Sequence, residues 1–222
     1  MIPLRDVIPS RTTPYITVTI IGINAAAWLF ELTLSDQQLY RLLTVFGVVP
    51  AAFAWPTLLT SMFLHGGWAH IIGNMLYLWI FGDNVEDRFG HARFLIFYLL
   101  AGTVAAFGQI LMDPASQVPT IGASGAIAGV MGAYIVLYPH SRVLTLLPLI
   151  IVWEVVEVPA VFLLGFWFLL QLFNAGAIAV TAGTSAAQGG VAFMAHVAGF
   201  VFGLLAVFAF RRRREPRRWT DM

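Results

Sequence analysis

Four polar side chains in this 222-residue chain combine the functional groups that acyl transfer needs. Ser124 stands in Gly122-Ala123-Ser124-Gly125-Ala126, and His196 in Ala195-His196-Val197-Ala198-Gly199. His70 and Asn74 are four residues apart, so on a helix they share one face. A hydroxyl nucleophile, an imidazole base and converging N–H donors are the parts of a serine hydrolase. A serine at a helix N-terminus also has free backbone N–H groups and the positive end of the helix dipole beside it. Each residue has a plainer reading as well. Ser124 could cap a helix within a small-residue packing motif. His196 could bond a backbone carbonyl for packing alone. His70 and Asn74 could form an interhelical clasp, worth about 1 kcal/mol. No carboxylate sits at their depth in the three segments that carry them, so the catalytic reading is a Ser–His dyad and not a triad.

The elements that must carry these residues are apolar spans. Only 10% of the chain is charged, 59% is hydrophobic, and the mean hydropathy is +0.84. Soluble domains average about 25% charged residues. At this size a soluble fold could not hide so much apolar side chain, and a disordered chain needs the opposite composition. Six spans are expected, at 15–34, 68–82, 93–112, 124–138, 155–175 and 190–210. Continuous apolar runs near 20 residues suit membrane helices and exclude a β-barrel of short alternating strands. The first run continues past Ala25-Ala26-Ala27 through Trp28, Leu29 and Phe30, too long for a cleaved signal. The fourth span is short for a bilayer, which sinks Ser124 several Å below the outer surface. The segment 35–67, with Trp55 and two prolines, reads as an outward-facing stretch in the membrane interface. The apolar segment 144–153, broken by Pro148, reads as a loop lying on the cytoplasmic face.

All twelve basic residues are arginines. Eleven of them, Arg5, Arg11, Arg88, Arg93, Arg142 and the six between Arg211 and Arg218, fall on one side of this arrangement, and Arg41 alone falls on the other. The positive-inside rule then puts both termini in the cytoplasm. The expected organisation is a cytoplasmic tail over 1–14, a six-helix domain over 15–210 and a basic cytoplasmic tail over 211–222. A basic block abutting a membrane helix reads as a topology and lipid-headgroup anchor, not a nucleic-acid site. The chain has no cysteine, which removes thiol nucleophiles and thiolate metal sites. His65 and His70 lack the His-Glu-x-x-His pattern of a zinc site, so neither a metal nor a cofactor is expected.

At these residues the chain resembles the rhomboid family of intramembrane serine proteases. The resemblance runs over roughly 46–210 and its motifs stand in family order. Thr60-Ser-Met-Phe-Leu-His65-Gly-Gly-Trp-Ala-His70-Ile-Ile-Gly-Asn74-Met resembles the second-span motif. Glu86-Asp87-Arg88 is similar to the Glu-x-Arg element that follows, Gly122-Ala-Ser124-Gly to the nucleophile motif, and His196-Val-Ala-Gly199-Phe-Val-Phe-Gly203 to the base motif. The resemblance implies an all-α six-transmembrane bundle in which Ser124 is the nucleophile and His196 the base. It implies that His70, Asn74 and the Ser124 N–H hold the oxyanion, and that Gly122 lets the preceding loop pass close to substrate. It implies structural roles for His65, Glu86, Arg88, Gly199 and Gly203. The implied partners are single-span membrane proteins, cut in or near the transmembrane helix beside small residues, with lipids around the enzyme. Water would enter from the outer face through a cavity closed by the fifth helix and the loop before it. The implied location is a cell membrane, read here as a prokaryotic plasma membrane. In some relatives an aromatic residue one turn after the serine stacks on the histidine. This chain has Ala128 there, which leaves the support of the His196 ring open. A catalytically dead relative that binds clients, and a small transporter, are the competing readings. The intact dyad speaks against the first, and the lack of midplane polar residues or inverted repeats against the second.

Overall fold

Eight α-helices and a small sheet make up the described part of the chain, residues 1–149, 152–181 and 192–211 of a computed structural model. In chain order the helices are α1 (Tyr15–Glu31), α2 (Asp36–Phe46), α3 (Thr57–Thr60), α4 (Trp68–Phe89), α5 (His91–Met112), α6 (Ser124–Leu137), α7 (Ala160–Thr181) and α8 (Phe193–Phe210). Among the described residues, α5, α8 and the 160–177 stretch of α7 are long and apolar enough to cross a membrane, while α1 and α6 are shorter apolar helices. The basic tail from Arg212 onward and the start of the sixth span, 190–191, lie outside the described residues.

The expectation of an all-α chain needs correction. Strands β1 (Ile2–Asp6), β2 (Arg142–Leu149) and β3 (Val152–Pro159) form an antiparallel sheet in the order β1-β2-β3. The segment read as a membrane-hugging loop is therefore a hairpin, with Val143 opposite Val158 and Thr145 opposite Val156. Its β-branched residues favour a pleated surface, and Pro148 is accommodated near the hairpin tip, opposite Trp153. For the same reason the fifth span starts at Ala160, five residues later than the hydropathy indicated, because 155–159 belong to β3. The 35–67 segment holds α2 and α3. Ser35 caps α2 through a reciprocal pair with Gln38.

The core lies between α4, α5, α6 and α8, around Phe81, Phe94, Phe97, Tyr98, Ile127, Val130, Met131, Tyr134 and Phe200. Helices α6 and α8 are in backbone contact. A Cβ added at Gly199 would meet the Gly125 carbonyl oxygen at 2.1 Å, and one at Gly203 the Gly129 oxygen at 1.9 Å. Only glycine permits that approach, and it sets the lateral distance between the segments bearing Ser124 and His196.

At the opposite end of α6 from Ser124, a polar network ties the N-terminal residues to the bundle. The Glu86 carboxylate is fully buried and accepts from the Ile16 N–H (3.0 Å), the Thr17 N–H (2.8 Å) and the Thr17 hydroxyl (2.7 Å), which caps α1. His91 Nδ1 lies 2.6 Å from Glu86 Oε1, the oxygen that also takes the Ile16 N–H. Asp87 accepts from the Arg11 N–H (2.6 Å), the Thr12 N–H (3.0 Å) and the Thr12 hydroxyl, and Asp83 from the Ser10 hydroxyl. Tyr134 donates to Asp6 at 2.5 Å, joining α6 to β1.

Candidate active site

Ser124 is the first residue of α6, so its Oγ stands at the helix N-terminus, where first-turn N–H groups have no intrahelical carbonyl. The chain reaches it through Gly122 at φ +116°, a left-handed conformation that favours glycine. This loop is pinned from two sides. Val48 and Thr120 exchange backbone bonds of 3.0 and 2.8 Å, and the Gly122 N–H donates to the Ser61 carbonyl at 2.8 Å. His196 lies in the first turn of α8 and is buried. Its Nε2 is 2.7 Å from Ser124 Oγ. Its Nδ1 is 2.8 Å from Oε1 of Gln171 on α7. The Trp167 ring, one turn earlier on α7, lies against the imidazole with centroids 5.6 Å apart.

His70 and Asn74 project from the first turns of α4 toward the same loop. A Cβ built on Gly122 would fall 2.6 Å from His70 Nε2 and 3.7 Å from Asn74 Nδ2. A side chain at 122 would thus fill the space these two groups face. The Gly66 N–H approaches His70 Nδ1 at 3.3 Å, which leaves the ring proton on Nε2, aimed at that space. Asn74 Nδ2 is buried with no hydrogen-bond partner among the described residues. An unpartnered buried donor costs about 1–3 kcal/mol.

Of the remaining residues singled out by sequence, His65, Gly199 and Gly203 sit near this group and two do not. His65 is fully buried, edge-on to His70 at 5.0 Å between centroids, and its N–H reaches the buried Glu31 carboxylate at 3.2 Å. Gly199 and Gly203 seat α8 on α6 as described. Glu86 and Arg88 are remote from the site. Glu86 caps α1, and Arg88 Nε is buried without a hydrogen-bond partner among the described residues.

Sequence reasoning missed Gln171 and Trp167, which hold the ring that Ala128 leaves unsupported from α6. Gln171 is a neutral polar residue inside an apolar helix, and that alone marks it for attention. The loop expected to close the cavity also needs correction. The segment before α7 is the hairpin, at the far end of α6 from Ser124. Residues 182–191, which follow α7 in the sequence, lie outside the described residues.

The Rhomboid domain family model matches residues 51–213, about three quarters of the chain. The chain belongs to the rhomboid family. It is an intramembrane serine protease. The candidate rhomboid protease YdcA of Bacillus subtilis (strain 168) is 28% identical over 218 residues, covering 93% of this chain and 94% of YdcA. The rhomboid protease GluP of the same organism is 41% identical over 88 residues, 40% of this chain and 17% of GluP. Rhomboid protein 1 of Saccharomyces cerevisiae mitochondria is 26% identical over 166 residues, 73% of this chain and 44% of that protein. Against the two longer relatives this rhomboid spans less than half their length.

Proposed function

We propose that this rhomboid cleaves transmembrane segments of single-span membrane proteins with a Ser124–His196 dyad, near the outer face of the membrane. The carrying observation is the 2.7 Å contact between Ser124 Oγ and His196 Nε2 beside two donors that converge on Gly122. His196 takes the hydroxyl proton as Ser124 Oγ attacks the scissile carbonyl carbon. The tetrahedral oxyanion accepts from His70 Nε2–H, Asn74 Nδ2–H and the Ser124 N–H. The C–N bond then breaks, His196 returns the proton to the leaving amine, and the Ser124 ester remains. Water deprotonated by His196 adds to the ester, and collapse releases the new carboxyl group and regenerates Ser124.

In this reading α1, α4, α5, α6, α7 and α8 cross the bilayer, with the arginine-bearing ends and both termini in the cytoplasm. Helix α6 has 14 residues, about 21 Å at 1.5 Å each, against a core of about 30 Å. Ser124 then lies below the outer surface, within reach of water and of a substrate helix end. The substrate must unwind locally, because an intact helix hides its amides. The test is cleavage of a single-span reporter in proteoliposomes. Wild type cuts and Ser124→Ala, folded to the same degree, does not. Full activity in Ser124→Ala would overturn the assignment.

A further inference from the structure

We propose that Gln171 on α7 is the positioning residue of the base: its side-chain carbonyl accepts the Nδ1–H of His196 and fixes the tautomer whose Nε2 lone pair faces Ser124. The inference rests on the dyad reading above and adds a third member to it.

The geometry carries it in three steps. An imidazole that is to take the Ser124 proton must present a bare Nε2, so its single proton must sit on Nδ1. The atom facing Nδ1 is Gln171 Oε1 at 2.8 Å, an acceptor, which selects that tautomer. The amide is itself oriented, because Gln171 Nε2 lies 3.4 Å from the Trp167 carbonyl oxygen one turn back. Turning the amide over would set two oxygens against each other and offer His196 Nδ1 a donor. The ring proton would then move to Nε2, and His196 would donate to Ser124 instead of accepting from it.

Gln171 and His196 are both buried. A carboxylate at position 171 would be costly in so apolar a bundle. A neutral amide supplies the acceptor without the charge, as the Asn does in Cys-His-Asn proteases. Trp167, four residues before Gln171, lies on the same face of α7 and packs on the ring. One helix therefore fixes both the tilt of the imidazole and the site of its proton, and Ala128 needs to contribute nothing.

The test uses the full chain in proteoliposomes with Gln171→Leu, which removes the acceptor, and Gln171→Glu, which keeps an acceptor oxygen at the same reach. The expected result for Gln171→Leu is a kcat about 10- to 100-fold below wild type with KM within about 2-fold. Gln171→Glu should recover most of that loss. A packing role alone predicts the reverse order, since leucine suits an apolar helix better than glutamate. Nitrogen-15 NMR of labelled histidine in the wild type should find the His196 proton on Nδ1. A proton on Nε2, or equal kcat in the two variants, would overturn the proposal even if Gln171→Leu folds poorly. Ser124→Ala run alongside separates the two claims. If it is inactive while Gln171→Leu keeps wild-type kcat, only the Gln171 role fails. If Ser124→Ala is active, the dyad fails and Gln171 with it.

Discussion

At the hairpin end of the bundle, Glu86, Asp87 and Asp83 of α4 take at least seven hydrogen bonds from residues 10–17, in the turn before α1 and its first turn. At the other end of the same helix, Asn74 Nδ2 is buried with no partner among the described residues. His70 Nε2 there faces the space beside Gly122. Polar groups in an apolar bundle cost stability unless paired. At the hairpin end, saturated at its three carboxylates although Arg88 Nε and Asn84 Oδ1 find no partner among the described residues, the bonds offset that cost and hold α1 in place. In the proposed mechanism, the donors at the other, unsaturated end are the ones that take the oxyanion. The contrast separates scaffold from site more sharply than residue type does, since both ends carry buried acids or imidazoles.

The largest effect expected from breaking the contrast falls at the unsaturated end. His196→Ala should lower kcat for a reporter substrate by at least about 10³-fold with the thermal midpoint in detergent little changed. Next comes the orphan donor. Asn74→Ala should reduce kcat by about 10²-fold and leave stability equal or higher, because an unpaired buried donor is removed. An unchanged kcat would assign Asn74 to packing. At the saturated end the signs reverse. Glu86→Gln should destabilise by about 2 kcal/mol in a chemical or thermal unfolding assay, through lost charge-assisted bonds to α1, while kcat of the folded fraction holds.

The smallest effect concerns Asp6, outside the spans. Burial pushes its carboxyl up to about 6, against a bond from Tyr134 that pulls it down. A carboxyl raised on folding binds protons more tightly in the native state. Its contribution is full below its ordinary value near 4 and is lost as pH rises through 6. The thermal midpoint of Asp6→Asn relative to wild type should therefore rise between pH 4.5 and 7. A flat difference would show that Asp6 stays ionised throughout.

Ser124, His196, His70 and Asn74 were legible in the sequence because each is polar within an apolar run and each sits in a recognisable motif. The approach of α6 to α8 rests on Gly125, Gly129, Gly199 and Gly203, of which the family resemblance marked Gly199 and Gly203 as structural. Gln171 was not legible, because it carries no charge and its role depends on a contact between α7 and α8 that no local spacing encodes. The hairpin was hidden for a different reason. Val143, Leu144, Leu146 and Leu147 are apolar enough to read as membrane-associated, so hydropathy masked the β-branched enrichment at Val155, Val156 and Val158. Strand β1 has only five residues and exists by pairing with a segment more than 130 positions away.

The most direct test of the central claim is covalent. A fluorophosphonate probe applied to the reconstituted wild type should add one label at Ser124, located by mass spectrometry of the peptides. His196→Ala should abolish labelling while folding is retained. Labelling at another serine, or undiminished labelling of Ser124 in His196→Ala, would contradict a dyad in which His196 activates Ser124.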